Sequence, residues 1–335
     1  MSVAGIPQDV RMRAAYIEQR GPAENIQYGT LPEPVASPGE VLVQVDAVAV
    51  NPVDTFVRSG SYPTAIPLPF VVGRDLVGTV VQASEGFRTG DRVWCSSLGY
   101  DGRQGATAEF AAVPAERLYE LPSDVDPVVA VAVAHPASTA YLATVEYGDI
   151  RAGETVLIVG AGGNVGSAAV SLAAGSGARV IAVASQRSLD RCVQLGAHEG
   201  YDYTSDWVSS VSKMHRGAVD VYVDTSGIND IAAAVDLLAP HGRIILISGD
   251  GTPETQRAMP LGPLYRKSGS IRGFVMSRAS TRQLAAAAQR TAVLLAGGGL
   301  TPNSIDLMQF SEAAQAHRRI ETEVMGGTRL VLLPA

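Results

Sequence analysis

Residues 156–166 read Val-Leu-Ile-Val-Gly-Ala-Gly-Gly-Asn-Val-Gly, an apolar run that ends in a glycine cluster. A continuous run of β-branched residues and leucine is typical of a parallel strand covered on both faces. Gly160 permits a tight turn, and Gly162 and Gly163 let main-chain N–H groups approach a pyrophosphate. Gly166 leaves room where a helix packs on the strand. The stretch therefore predicts a dinucleotide site, and an ordinary strand-to-helix turn is the alternative for the cluster taken alone.

The segments after the glycine cluster alternate between strand and helix patterns. Further strands are predicted at Arg179–Ala184, Val219–Asp224, Arg243–Ser248 and Ile271–Met276. Helices are predicted at Ser188–Leu195, Asp230–Leu238 and the alanine-rich Thr281–Ala296. This alternation is typical of a doubly wound parallel sheet of the Rossmann type, in the α/β class. We expect the cofactor at the carboxyl ends of these strands.

The second of these strands ends in the residues Ala184-Ser185-Gln186-Arg187. An Asp or Glu here would bind the ribose 2′-hydroxyl of NAD, and these four residues include none. Ser185 can donate to a 2′-phosphate and Arg187 can pair with it, so the pattern favours NADPH over NADH. A solvated arginine that opens a helix is the alternative for Arg187.

Length and composition limit the possible classes of protein. The 335 residues predict two domains of moderate size. A formal charge of −7 without a Lys/Arg run argues against nucleic acid or an anionic membrane as partner. The longest apolar run, Val128–Ala134, stops before His135 and predicts no membrane span, and Met1–Met12 lacks a signal-peptide core. Cys95 and Cys192 have no metal spacing, so we expect inert thiols in a cytoplasmic protein.

Before the glycine cluster the pattern is that of a β-rich unit with many prolines. Its predicted strands are Val41–Val50, Gly73–Val81, Gly90–Trp94 and Ala108–Val113. The end of the chain predicts a helix at Ser311–Ile320 and a strand at Leu330–Leu333, which we expect to return to this unit. We therefore predict a β-rich domain of residues 1–134 and 279–335 and a nucleotide-binding domain of residues 135–278.

An ordered series of motifs accompanies these patterns. It comprises Asn51-Pro-Val-Asp54, Arg58-Ser-Gly-Ser-Tyr-Pro63, Gly73-Arg-Asp-Leu-Val-Gly78, Gly90-Asp-Arg-Val93, Ala108-Glu-Phe110, Ser138-Thr-Ala-Tyr141, the glycine cluster, Asp224-Thr-Ser-Gly227 and Phe310-Ser-Glu-Ala313. With them, the chain after Met12 resembles the zinc-free quinone oxidoreductase (zeta-crystallin-like) branch of the medium-chain dehydrogenase/reductase superfamily. The resemblance implies a GroES-like β-rich domain and a Rossmann nucleotide-binding domain.

Alcohol dehydrogenases of this superfamily hold a catalytic zinc with a Cys, a His, and a later Cys or His. The resemblance implies which positions of this chain correspond to those ligands. Those places read Asn51, Arg74 and His135 in this chain. An amide, a guanidinium and one imidazole do not provide the three protein ligands that a catalytic zinc needs. We therefore expect no metal, and hydride transfer to an acceptor that is already electrophilic.

The catalytic candidates that the resemblance implies are Tyr62, Asn51, Arg74 and His135. Tyr62 matches the tyrosine assigned as proton donor in related enoyl reductases, and a packing tyrosine at a proline-rich turn is the alternative. A cation at Arg74, held by Asp54 or Asp75, would stabilise a developing oxyanion. For Arg74 and His135, the alternative is a structural Arg–Asp pair and a core histidine.

Cofactor contacts are expected along the carboxyl edge of the parallel sheet and at the nicotinamide. The expected residues are Asn51, Thr139, Gly160, Gly162, Gly163, Asn164, Val165, Gly166, Ser185, Arg187, Tyr203, Ser248 and Phe274. Asn51 and Thr139 resemble family residues near the nicotinamide, and Tyr203 resembles the tyrosine near the adenosine phosphate.

These observations favour an NADPH-dependent, zinc-free reductase that acts on a quinone or an α,β-unsaturated carbonyl compound. An enoyl-thioester reductase is an alternative within the same chemistry. A non-catalytic NADPH-binding protein, of the crystallin or sensor kind, is an alternative from a different class. The resemblance implies a homodimer, because family members commonly dimerise through the nucleotide domain, and an edge strand at Ile271–Met276 could pair across a two-fold axis.

Overall fold

The computed structural model describes residues 10–215, 218–249 and 259–334. The chain forms two compact units and passes between them after His135 and after Leu300. The first crossing lies beside the predicted boundary, but the second lies well after residue 279. The reason is that helix Thr281–Ala296, which buries Leu284, Ala287 and Ala288, belongs to the second unit.

Strands and helices alternate along much of the chain. The strands are β1 (Arg11–Ile17), β2 (Gln27–Pro32), β3 (Glu40–Val50), β4 (Phe70–Val71), β5 (Asp75–Val80), β6 (Arg92–Cys95), β7 (Phe110–Pro114), β8 (Tyr119–Glu120), β9 (Thr155–Val159), β10 (Arg179–Ala184), β11 (Glu199–Asp202), β12 (Val219–Asp224), β13 (Leu238–Leu246), β14 (Ser270–Gly273), β15 (Ser304–Gln309) and β16 (Thr328–Leu333). The α-helices are α1 (Pro52–Ser59), α2 (Pro127–Tyr141), α3 (Asn164–Gly175), α4 (Gln186–Gln194), α5 (Trp207–His215), α6 (Ile231–Leu237), α7 (Leu261–Arg266), α8 (Thr281–Ala296) and α9 (Ala313–Thr322).

The first unit contains a seven-stranded sheet with the order β15-β16-β3-β5-β6-β8, in which β7 also pairs with β3. A three-stranded sheet has the order β2-β1-β4. Val41, Val43 and Val45 of β3 are buried in alternation with less buried residues, as expected for a strand with one face on the core. The predicted β-rich domain is confirmed.

The last strand, β16, places one side chain at the centre of this unit. β16 runs antiparallel to β3, with Leu330 opposite Val50. Since Arg329 and Asn51 adjoin this pair, the register brings them together although 278 positions separate them in the sequence.

The second unit is a six-stranded sheet with the order β11-β10-β9-β12-β13-β14, in which every neighbouring pair is parallel. In order of appearance these strands are 3-2-1-4-5-6, the doubly wound arrangement predicted from the sequence. The strand order reverses between β9 and β12. Ligands of such sheets bind beyond the carboxyl ends of the strands at this reversal.

Several predicted elements of the second unit are confirmed to the residue, namely β10, β12 and α8. β11 was not predicted, because Glu-Gly-Tyr-Asp is a short and polar strand. The predicted strands Arg243–Ser248 and Ile271–Met276 are wrong at their ends, since β13 stops at Leu246 and β14 at Gly273. Beyond Gly273 the chain turns inward and buries Met276.

Helix α2 continues past Pro136, although the apolar run was expected to stop before His135. It is followed by a π-helical turn, Leu142–Glu146. Of the helices in the described ranges, this 20-residue stretch alone is long and apolar enough to cross a membrane. In its most apolar window 72% is buried within the protein, and buried core helices share this length and composition. Pro136 has no N–H to offer the Ala132 carbonyl, and Arg329 Nε donates to that carbonyl over 2.6 Å instead.

Candidate active site and cofactor site

The glycine cluster links β9 to α3. Gly160 has a φ of +79°, which favours glycine, and Gly163 precedes the first helical residue. The first main-chain hydrogen bond of the helix runs from the Ser167 N–H to the Gly163 carbonyl over 2.9 Å. The N–H groups of residues 164–166 therefore lack a helical acceptor, and no side chain caps the helix. Such N–H groups at the positive end of a helix are suited to a phosphate.

The turns after β10 and β12 pack against the glycine cluster. A Cβ on Gly160 would lie 2.7 Å from the Thr225 Oγ1 in the turn after β12. A Cβ on Gly162 would lie 2.7 Å from the Cβ of Ser188 on α4. A Cβ on Gly166 would overlap the Gly160 carbonyl, as expected for close packing of helix on turn. The cluster is thus packed between the turns after β10 and β12, at the reversal of strand order.

Asp224 is buried at the end of β12 and organises the turn that follows. Its Oδ1 accepts the N–H groups of Ser226 and Gly227 over 2.7 and 3.1 Å, and its Oδ2 accepts the Asn229 N–H over 3.1 Å. The Asn229 Nδ2 in turn donates to the Ser248 carbonyl over 2.8 Å. Asp224 therefore holds the predicted contact residue Ser248 in place, a role that its position after a buried strand could have indicated.

The turn after β10 brings three predicted residues together. Ser185 precedes α4, and its Oγ shares a 2.9 Å hydrogen bond with the Ser188 Oγ. The Arg187 side chain is exposed and has no hydrogen bond or ion pair with any described residue. The Tyr203 N–H donates to the Ala184 carbonyl over 3.0 Å, and Tyr203 is 60% exposed. A hydroxyl and an unpaired guanidinium therefore flank this turn.

Two further predicted residues of the second unit lie near the end of β14. Thr139 is buried, and its Oγ1 donates to the Met276 Sδ over 3.4 Å. The Phe274 ring stacks on the Tyr147 ring with centres 4.6 Å apart. The Phe274 N–H donates to the Leu246 carbonyl over 3.2 Å, so this residue continues the contact between β13 and β14.

In the first unit, Asn51 lies at the centre of a buried polar cluster. Its N–H donates to the Asp54 Oδ2 over 2.7 Å, which caps α1. Its Nδ2 donates to the Asp75 Oδ2 over 2.8 Å, and its Oδ1 accepts from an Arg329 terminal nitrogen over 2.8 Å. Both ends of the amide are thus used within the cluster. The expected contact of Asn51 with a nicotinamide stays a prediction.

Asp75 connects Asn51 to His135. The Asp75 Oδ1 lies 3.3 Å from the His135 Nδ1, and neither atom has a hydrogen bond that meets normal geometry. The His135 side chain is 13% exposed, whereas Asp75 is fully buried. Asn51 and His135, two of the three positions expected to replace zinc ligands, therefore adjoin the Asp75 carboxylate, and Arg74 precedes Asp75 in the chain.

Arg74 is 1% exposed, and none of its three side-chain nitrogens has a hydrogen-bond partner among the described residues. Its Cζ lies 5.5 Å from the centre of the Tyr100 ring. The Tyr62 ring is half-buried, and its centre lies 5.9 Å from that of Tyr100. Tyr62, Tyr100 and Arg74 thus form a continuous row in the first unit.

Asp54 is a buried carboxyl group beside Asn51. Burial, and then the neighbouring charge of Asp75, raise the pKa of Asp54 to about 7. Burial also lowers the pKa of the Arg329 guanidinium. Asp54 can therefore gain or lose a proton near neutral pH while it still accepts the Asn51 N–H.

The described residues contain no group of three or more His, Cys, Asp or Glu side chains arranged to hold a metal ion. The zinc-free interpretation itself stays a prediction. Cys95 and Cys192 are free and buried, and burial raises the pKa of the Cys192 thiol to about 11. So high a pKa leaves little thiolate, as expected for an inert thiol.

Comparison with known proteins identifies the family. Residues 37–123 match the alcohol dehydrogenase GroES-like domain, and residues 164–291 match the family described as zinc-binding dehydrogenase. A quinone oxidoreductase of Lama guanicoe is 30% identical over 96% of this chain and 97% of its own length. The chain belongs to the quinone oxidoreductase branch of the medium-chain dehydrogenase/reductase superfamily.

Solved structures with a similar fold support this family assignment. The crystal structure of AibC has a TM-score of 0.87 with this oxidoreductase at 29% identity, and the match covers 100% of both chains. The quinone oxidoreductase of Pseudomonas syringae pv. Tomato DC3000 has a TM-score of 0.83 at 26% identity, over 96% of this chain and 100% of its own. The protein is therefore an enzyme of a nicotinamide-dinucleotide-dependent family, with the GroES-like and Rossmann-type domains predicted from its sequence.

Proposed function

We propose that this oxidoreductase transfers hydride from NADPH to a quinone or an α,β-unsaturated carbonyl compound, without a metal. The observation that carries the reaction type is Arg74, a buried cation whose three side-chain nitrogens have no partner among the described residues. The resemblance assigns its position to a zinc-ligating histidine. A fixed cation with unused donors stabilises negative charge that develops on an acceptor oxygen.

The second unit has the features that NADPH requires. The N–H groups of residues 164–166 suit a pyrophosphate, and Gly160 and Gly162 allow the neighbouring turns to pack closely against the loop that presents these groups. Ser185 and the unpaired Arg187 suit a 2′-phosphate. When bound, the nicotinamide of this cofactor supplies the hydride.

The side chains of the first unit have separate roles in this proposal. Arg74 donates to the acceptor oxygen as charge develops on it. Tyr62 donates a proton to the reduced product. Asp75 faces the His135 Nδ1 at 3.3 Å and holds the imidazole as a second proton source. Asn51 positions Asp75 and takes no proton itself.

Oxidation of NADPH in the presence of quinones, enones, enoyl thioesters, aldehydes and alcohols tests the proposal. We expect turnover with quinones or enones that a chelator leaves unchanged. Arg74→Met should lower kcat/KM at least about tenfold with NADPH affinity unchanged, since one oxyanion donor contributes this much or more. Arg103→Met is the matched control, because Arg103 lies 6.0 Å from the same Tyr100 ring but is more exposed.

Other outcomes would contradict the proposal in distinct ways. NADPH binding without turnover of any acceptor indicates a non-catalytic binding protein. Turnover of enoyl thioesters alone indicates an enoyl-thioester reductase. Loss of activity with a chelator, together with about one zinc per chain, contradicts the metal-free mechanism.

We also propose that the enzyme is a cytoplasmic homodimer. The described part of the six-stranded sheet ends at β14, and an edge strand of this kind pairs readily with a second copy across a two-fold axis. Sedimentation that gives a monomer at micromolar concentration would contradict the dimer.

A further inference from the structure

The turn after β10 lies beside a carboxylate that comes from the neighbouring strand. Asp202 ends β11 and lies opposite Ala184, the last residue of β10, in the parallel ladder. Paired residues of adjacent strands are about 4.8 Å apart. The side chain of Asp202 is therefore within reach of Ser185 and Gln186, although the sequence of the turn contains no acid.

Hydrogen bonds fix this carboxylate at the start of α4. The Asp202 Oδ1 accepts the Thr204 N–H and hydroxyl over 2.8 and 2.9 Å, and the carboxylate faces the main-chain N–H of Gln186. Gln186 is the first residue of α4, and the Ser185 side chain accepts from no main-chain N–H of this helix. The bonds from Thr204, with the Gln186 N–H, lower the pKa of Asp202, so it is ionised at neutral pH. Asp202 thus places a negative charge beside the start of α4.

We propose that Asp202 determines how strongly this oxidoreductase distinguishes NADPH from NADH. The inference rests on the proposed cofactor site. A 2′-phosphate beside Ser185 approaches the Gln186 N–H that Asp202 faces, and it is repelled by the carboxylate. The 2′-hydroxyl of NADH instead donates to Asp202, as it does to an acid at the end of the second strand in other Rossmann domains. Arg187 and Asp202 therefore act in opposite directions, and the preference for NADPH stays modest.

Asp202→Asn tests this role, because it removes the charge and keeps an oxygen that accepts from Thr204. Asp202→Ser removes the same charge and serves as a second variant. Asp206→Asn is the matched control, since Asp206 lies in the same segment and its carboxylate accepts the Ser209 N–H at the start of α5 over 3.2 Å. Calorimetric titration gives Kd for NADPH and NADH with each protein, and circular dichroism confirms folding.

We expect Asp202→Asn and Asp202→Ser to raise the ratio of Kd for NADH to Kd for NADPH by about tenfold or more, mainly through tighter NADPH binding. Asp206→Asn should change this ratio less than about twofold, because its charge lies at the start of α5 and not beside α4. An unchanged or lower ratio in both Asp202 variants overturns the inference, as does an equal change in Asp206→Asn. An unmodified protein that binds neither cofactor contradicts the proposed function instead.

Discussion

Arg329 donates from Nε to the Ala132 carbonyl over 2.6 Å, and this carbonyl is the one that Pro136 leaves without a helical partner. The same guanidinium donates to the Asn51 Oδ1 over 2.8 Å. One buried cation therefore compensates for a proline in α2 and fixes the amide that holds Asp75. The apolar helix and the polar cluster depend on the same residue.

Replacement of Arg329 should consequently lower the free energy of unfolding, and the size of this decrease should depend on Pro136. Arg329→Met is expected to lower the free energy of unfolding by about 2–4 kcal/mol, because it leaves buried acceptors unpaired. Pro136→Ala restores an N–H for the Ala132 carbonyl, so the cost of Arg329→Met in that background should be about 1 kcal/mol smaller. Urea unfolding of the four proteins measures the coupling. Strictly additive effects would show that the two residues are independent.

The stability of the protein should depend on pH through Asp54. Since burial raises its pKa from 3.8 to about 7, the folded state retains a proton that the unfolded chain releases earlier. This stabilisation is present below about pH 4 and is lost as the pH rises through about 7. Asp54→Asn keeps an acceptor for the Asn51 N–H and stays neutral. As the pH rises from 5 to 8, the difference in free energy of unfolding between Asp54→Asn and the unmodified protein should therefore change by about 2–3 kcal/mol in favour of Asp54→Asn.

Unfolding by urea at both pH values measures this difference, and Asp124→Asn at an exposed position is the control. A difference that does not change with pH would show that Asp54 stays ionised in the folded state.

The choice of cofactor should depend on Arg187. NADPH is expected to bind more tightly than NADH, and Arg187→Ala should reduce that preference by about 1.5–3 kcal/mol, the size of a charge-assisted hydrogen bond. Arg187→Lys keeps the positive charge and should retain part of the preference. Dissociation constants from titration provide the measurement. Equal affinities of the unmodified protein for both cofactors would refute the assignment.

Tyr62 should affect turnover rather than cofactor binding. Tyr62→Phe keeps the ring beside Tyr100, so loss of the hydroxyl alone should lower kcat about tenfold or more with NADPH affinity intact. Enones should be affected more than quinones, because an enolate needs a proton delivered within the site, whereas a hydroquinone anion takes one from water. Tyr100→Phe removes the adjacent hydroxyl as a control. If kcat is unchanged on every substrate, Tyr62 is a packing residue and His135 or water supplies the proton.

The fold was largely predictable, because each long element has its own pattern. β10 carries a continuous apolar run, β12 alternates valine with other residues and α8 has helical periodicity, and their bounds agree with the prediction. β11 has none of these patterns, since its four residues, Glu-Gly-Tyr-Asp, form a short strand that pairs with β10. The assignment of α8 to the second unit depends on which side buries Leu284, and no local pattern specifies that.

The candidate site was predictable where function depends on neighbours in sequence, as in the glycine cluster and the turn after β10. It was not predictable where strands that are distant in sequence bring side chains together. Arg329 reaches Asn51 through the register of β16 on β3, and Asp202 reaches Gln186 through the pairing of β11 with β10. A further reason for glycine at position 162 is its contact with Ser188, which follows from the packing of α4.

Transfer of deuterium is the most direct test of whether hydride passes from NADPH to a carbon atom of an activated acceptor. NADPH deuterated at the 4R or the 4S position is incubated with the enzyme and an enone, and the product is analysed by mass spectrometry. We predict that one of the two cofactors, and only one, yields a product with one deuterium on its β-carbon, at a rate that depends on Arg74. Consumption of NADPH without deuterium in the product from either cofactor, or no consumption with any enone or quinone, would contradict the account.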